Sequence, residues 1–157
     1  MDRKPNSPRV LLDHLDLEFS RLVSDLNKLV TSLSPDLLYR PLPGNVTIGE
    51  SLLRSAAAIE QTFGGLTANL WDDPFEWTLP ETLSTTDRLL EYLSEVDDVR
   101  QRAFASIASD EDLAKYVSVP SGEEQPLFAL LLQTVVKANE HYGRALAARK
   151  MLSGETA

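Results

Sequence analysis

Apolar residues along the first thirty-odd positions recur by fours and threes. Leu11, Leu15, Phe19, Leu22, Leu26, Leu29 and Leu33 make one narrow seam, the spacing of a helix that packs in a bundle. Ser7-Pro8 ahead of it reads as an N-cap serine with proline at the first helical position. Strict alternation of apolar and polar residues, the strand signal, is absent. Ser34-Pro35-Asp36 restarts the chain in a short helical turn, and Pro41-Leu42-Pro43-Gly44-Asn45 ends it.

Thr47-Ile48-Gly49-Glu50 reads as a capping box, with Thr47 as N-cap and Glu50 reaching back. The second helix it opens buries Ile48, Leu52, Ile59, Phe63 and Leu66, with Leu70, where the next loop begins, as a further candidate for the buried stripe. The pair Gly64-Gly65 inside it costs about 1 kcal/mol per glycine relative to alanine. A bend, or close approach by another backbone, would explain it. Residues 70–81 form a loop carrying Trp71, Phe75 and Trp77 among Asp72, Asp73 and Glu76. It is expected to plug one end of the bundle, where aromatics bury large area, rather than to act as a substrate lid or dimer contact.

Ser84 to Asp87 opens the third helix, with Leu89, Leu93, Val96, Ala103, Phe104 and Ile107 inward. After a connector from Ser109 to Pro120, Ser121-Gly122-Glu123-Glu124 reads as another capping box. The fourth helix carries Leu127, Leu131, Val135, Ala138, Tyr142 and Ala145 in one stripe and runs to about Leu152. Four amphipathic helices joined by connectors rather than strands predict an all-α, four-helix bundle. It would be a single domain over 1–157, with short tails at 1–6 and 153–157.

Charge narrows the function classes. The net charge is −9, with Lys and Arg scattered among acids. No basic stripe suits a nucleic-acid backbone, and no basic face suits an anionic membrane. The 157 residues contain no cysteine, which excludes disulfides, thiolate ligands and a catalytic thiol. The N-terminal residues have no apolar segment behind their charges, and the longest apolar run, Leu127 to Leu132, is far too short for a membrane span. The expectation is a cytoplasmic protein. No nucleophile-elbow or phosphate-loop glycine pattern is present.

The candidate chemistry lies on the last helix. Lys137 and His141 are four apart and share a face. Two histidines so spaced would make a pair of metal ligands; a lysine there repels a metal at neutral pH. On a helical wheel His141 borders the apolar face near Leu130, Thr134, Ala145 and Ala148. It is either an acid/base or ligand group or a half-buried histidine bonded to a neighbour. His14 and Glu18 form another i, i+4 pair, a substitute ligand set should the fold bring them to His141; Glu60 and Asp25 are further carboxylates to consider.

Three stretches resemble the DinB/YfiT-like superfamily of bacterial four-helix bundles. Leu33-Ser34-Pro35-Asp36-Leu37-Leu38, with Pro41 and Gly44, is similar to its first connector. Thr47-Ile48-Gly49-Glu50-Ser51-Leu52-Leu53-Arg54 is similar to its second-helix start, which normally ends in histidine. Glu140-His141-Tyr142-Gly143-Arg144-Ala145-Leu146 is similar to its fourth-helix signature. The resemblance implies a homodimer and a divalent metal (Zn, Ni or Mn) on three histidines. Carried over, those positions are Arg54, Lys137 and His141, so one histidine of three is present.

Three functions follow from that departure. The first is a non-catalytic, ligand-binding homodimer with no metal cofactor, its pocket at Arg54, Lys137 and His141 taking a small molecule or anion. The second is a metal-dependent hydrolase or thiol transferase with remodelled ligands, which requires two or more further His, Asp or Glu side chains converging on His141. The third is a structural interaction bundle whose pocket is filled by side chains. Arg54 lies opposite the Ile48/Leu52/Ile59 stripe, so its inward placement rests on the resemblance alone. Glu50, one turn earlier, or Glu140 would neutralise these cations internally.

Overall fold

The computed structural model describes residues 8–76 and 82–154. Four long helices dominate: α1 (Val10–Ser32), α3 (Ile48–Ala68), α4 (Thr86–Ser106) and α5 (Leu127–Ser153), with a single-turn α2 (Pro35–Leu38) after α1. In the principal packing, α1 and α3 each lie against α4 and α5. The chain therefore crosses the bundle between α1 and α3, and again between α4 and α5. These diagonal crossings run over residues 33–47 and 107–126, unlike the nearest-neighbour connections of a simple up-and-down bundle.

At the centre, Phe19 of α1, Phe63 of α3 and Phe104 of α4 form a triangle with ring centroids 5.0, 5.5 and 5.8 Å apart. Such aromatic pairs add to the area they bury. The α3–α5 contact is the most extensive of the bundle. Its helices approach closely through buried Ala56, Ala57, Ala138 and Ala145. Two buried polar links cross it: Ser55 Oγ donates to Ala138 O at 2.8 Å, and Thr62 and Thr134 hydroxyls lie 2.6 Å apart. Thr134 gives its own proton to Leu130 O, so Thr62 is the donor between them.

The α1 seam holds from Leu15 onward, but Leu11 is 53% exposed and Leu12 takes the buried place. The reason is the cap. Ser7 lies outside the described residues, and Arg9 occupies the N-cap without a side-chain cap bond. The free amides of Leu11 and Leu12 donate instead to Asp110 at 3.1 and 2.9 Å. Arg9 Nη1 donates to the carbonyls of Ile107 and Ala108 at 2.6 and 2.9 Å. A carboxylate distant in sequence thus supplies the N-terminal charge complement of α1.

Thr47 caps α3 as expected, accepting from Glu50 N at 3.0 Å. The carboxylate of Glu50 does not reach back; it turns to Arg54. The helix stops at Ala68 with Asn69 left-handed (φ 56°), so Leu70 is not part of its buried stripe but 63% exposed. The glycine pair reflects close approach. A Cβ on Gly65 would stand 2.3 Å from the Trp71 ring. The 70–76 loop accordingly runs back along the side of α3 instead of plugging the bundle end; Trp77 lies outside the described residues.

Buried Arg100 of α4, 3% exposed, bonds to Asp97 at 2.8 Å and to Asp16 of α1. The largest correction is at Ser121-Gly122-Glu123-Glu124, which is no helix start. Strands β1 (Tyr116–Ser118) and β2 (Glu124–Pro126) pair antiparallel there, turning through Gly122 at φ +82°. A helix begun at Ser121 would place Pro126 inside it, without the amide the next turn needs. Pro126 is instead the N-cap of α5. That helix includes Ser153 and ends on left-handed Gly154, beyond the expected tail boundary. Among the described residues no helix is long and apolar enough to cross a membrane.

Candidate functional site

Arg54, Lys137 and His141 line one cleft between α3 and α5, together with Ala58, Gln61, Asp73 and Phe75. Helical spacing explains the gathering: 54, 58 and 61 share a face of α3, and 137 and 141 share a face of α5. The 70–76 loop contributes the rest. Gln61 Nε2 donates to Trp71 O at 2.8 Å, and Phe75 N donates to Asp73 Oδ1 at 3.0 Å. The space left is about 30 Å³, which admits one water-sized occupant.

The three predicted residues differ in state. The Arg54 guanidinium lies 3.9 Å over the Phe75 ring centroid and 3.2 Å from Glu50 Oε1. Its charge is thus stacked and neutralised within α3, the role expected of Glu50. Lys137 is exposed and, among the described residues, has no ion-pair partner. His141 is half-buried, and burial pushes its imidazole below the ordinary value, helped by Arg144, Lys137 and Arg54 and opposed by Glu140. Arg144 Nη1 lies 3.4 Å from His141 Nδ1. A guanidinium only donates, so Nδ1 accepts and the neutral ring carries its proton on Nε2.

The weaker substitutes are elsewhere. His14 is exposed, with Nδ1 2.7 Å from Val10 O, and Glu18 pairs with Arg21 at 3.0 Å. Among the described residues no group of three or more His, Asp or Glu is arranged to hold a metal, so His14, Glu18 and His141 do not form a ligand set. The chemistry of the donors at Arg54, Lys137 and His141 does not fit the metal that the resemblance implies. Among the described residues, His141 and Asp73 are the only anionic or imidazole donors lining the cleft, and Arg54 and Lys137 share it. At a few ångströms the unpaired Lys137 would repel a metal by several kcal/mol at an effective dielectric of ~20, while Arg54 offers no lone pair to one.

A second cleft, about 480 Å³, lies on the other side of the loop between α3 and α4. Its α3 wall is Glu60, Gly64, Thr67 and Ala68; Leu70, Asp72 and Pro74 come from the loop, and Val99 and Arg102 from α4. Residues 72 and 74 thus face this cleft while 73 and 75 face the first. Of the lining residues, Glu60 accepts a hydrogen bond at Oε2 from the Tyr92 hydroxyl at 2.5 Å. Burial raises the Glu60 carboxyl above its ordinary value; the Tyr92 bond opposes this and Glu95 adds to it. Burial and Glu60 push the Tyr92 phenol upward. In the sequence Glu60 stood only as a loose metal ligand, and Tyr92 gave no signal beyond its place on the inner face of α4.

No protein-family profile matches this chain, and no curated protein matches it by sequence. Its structure is similar to the crystal structure of a DinB-like protein from Bacillus cereus, with a TM-score of 0.72 and 18% identity over 92% of this chain and 93% of that one. At that identity the likeness is one of fold. It is the fold that the three motif stretches imply.

Proposed function

We propose that this chain, a bundle of DinB-like fold, is a non-catalytic homodimer whose former metal position holds a small anion. The observation that carries this reading is the convergence of Arg54, Lys137 and His141 on one cleft. Arg54 is already paired, so unpaired Lys137 supplies the attraction and the neutral His141 ring the hydrogen bond. The size of the cleft suits a chloride- or formate-sized ion. Remodelled metal chemistry finds less support, since Asp73 alone joins His141 there as a donor.

The homodimer reading is supported by a stripe on α5. Phe128, Leu132 and Val136, four apart, are 38, 44 and 51% exposed, giving the helix an apolar face besides the one packed in the bundle. Leu132→Glu is expected to convert a dimer to monomer in sedimentation velocity.

The anion is tested by following His141 in an NMR pH titration with rising chloride or formate. A bound anion favours the imidazolium, so the His141 pKa should rise with anion concentration and cease to do so in Lys137→Met. Elemental analysis of untagged protein is the counter-test. A stoichiometric transition metal, lost in His141→Ala, overturns the reading and revives a metal-dependent hydrolase or transferase.

A further inference from the structure

We propose that the α3/α4 cleft binds a small organic ammonium ion, its apolar body against Leu70, Val99 and Ala68 and its N–H groups on Glu60 Oε1. The cleft is separate from the cationic one and its volume of about 480 Å³ lies within the range of small-molecule sites. Its walls are mainly apolar, and Leu70 stands 63% exposed at its edge. An exposed leucine held beside a half-buried carboxylate is the pairing an amphiphilic cation needs.

Glu60 is prepared on one side only. Oε2 is fixed by the Tyr92 hydroxyl; among the described residues Oε1 receives no hydrogen bond. No buried side-chain oxygen in the described residues lacks a partner, so Oε1 is open to the cleft. The surrounding charge has one dominant sign. Glu95 acts on Glu60, and Asp73 and Glu95 act on Tyr92. Asp72 lines the mouth. Among the described residues Arg102 is the one cation lining the cleft, and its exposed side chain reaches toward Asp98 O at 3.4 Å. An ammonium group on Oε1 relieves the burial cost that the carboxylate carries. A neutral isostere gains only the apolar contact, and an anion meets repulsion.

The experiment is an NMR titration of the full chain, isotope-labelled, with benzylammonium chloride, benzyl alcohol and sodium benzoate at pH 7.5. Benzylammonium is expected to saturate shifts at Glu60, Gly64, Leu70 and Val99. Benzyl alcohol and benzoate are expected to bind at least about tenfold more weakly, the factor set by one charge-assisted hydrogen bond. Glu60→Gln should lose that preference for the cation. If Glu60→Gln fails to fold, Ala68→Phe decides, because it fills the exposed rim and leaves Glu60 intact; it should abolish binding. Equal binding of benzyl alcohol, tighter binding of benzoate, or no saturable shift at millimolar concentration overturns the proposal. Shifts confined to Lys137 and His141 also overturn it, since they report the chloride counter-ion in the other cleft and leave Glu60 without a ligand.

Discussion

The cleft between α3 and α5 and the cleft between α3 and α4 are built from the same helix and the same loop. Asp73 and Phe75 turn to one, Asp72 and Pro74 to the other. The first gathers cations around a histidine and is nearly filled by Phe75 and Arg54. The second gathers acids around a half-buried carboxylate and is open. The difference comes from the partner helix: α5 brings Lys137 and His141, whereas α4 brings Val99 and Arg102 and, behind Glu60, the Tyr92 hydroxyl. One loop therefore shapes two chemically opposite sites, its bend at Asp72 and the 3-10 turn over Pro74–Glu76 sending successive residues to the two clefts.

Moving the loop should disturb both clefts, and this is the largest effect expected. Gly65→Ala sets a methyl against the Trp71 ring, overpacking that costs about 1–3 kcal/mol. Urea denaturation gives the loss, and a shift in tryptophan emission reports the displaced ring. Tyr92→Phe should separate the clefts. It removes the donor to Glu60 Oε2, costing about 1–2 kcal/mol. Because that bond holds the carboxyl down, the Glu60 pKa should climb further in a carboxyl NMR titration while His141 stays unchanged.

The pH dependence sharpens the contrast, since the two groups act with opposite sign. His141 is depressed below its ordinary 6.5, so below that pH the unfolded chain binds a proton that the native state refuses. Its contribution makes stability fall as pH drops from about 6.5 through the lower native value. Glu60 is raised above its ordinary 4.5, so the native state keeps a proton that the unfolded chain releases. Its contribution falls as pH rises from about 4.5 through the higher native value. Lys137→Met removes a cation facing His141, so the His141 pKa should rise toward 6.5 and the acid-side loss should shrink. Denaturation midpoints of Lys137→Met and Glu60→Gln from pH 4 to 8 separate the two slopes. The smallest effect belongs to Arg54→Met. Its pair with Glu50 is 42 and 38% exposed, and with the Phe75 stacking it should cost under about 1 kcal/mol.

The α3 and α5 stripes were legible because both carry helical periodicity, and α3 also carries a start signal that local physics fixes. Thr47 needed only Glu50 N, three residues away, and Lys137 and His141 needed only a helix to share a face. What escaped the sequence was non-local. Leu11 looked as apolar as Leu12, and only Asp110 decided where α1 begins. Ser121 to Glu124 satisfied the capping pattern, but Pro126 vetoed the helix and a hairpin took the segment. Buried Arg100 was invisible because its partner Asp16 lies on another helix. Arg54 was placed by resemblance, and its stacking on Phe75 depended on where the loop returned. Glu60 stood out only as one of several carboxylates that could ligate a metal, since neither its burial nor Tyr92 is encoded near it.

The capping of α1 by Asp110 has a consequence for the order of events during synthesis. The first turn of the helix is made early, but its amides have no acceptor until a residue nearly one hundred positions later has been added and docked. Until then that turn frays, and its completion is gated by the segment after α4. Hydrogen exchange at the Leu11 and Leu12 amides should therefore be protected only in the intact chain, and Asp110→Ala should expose both while leaving the amides around Leu22 slow.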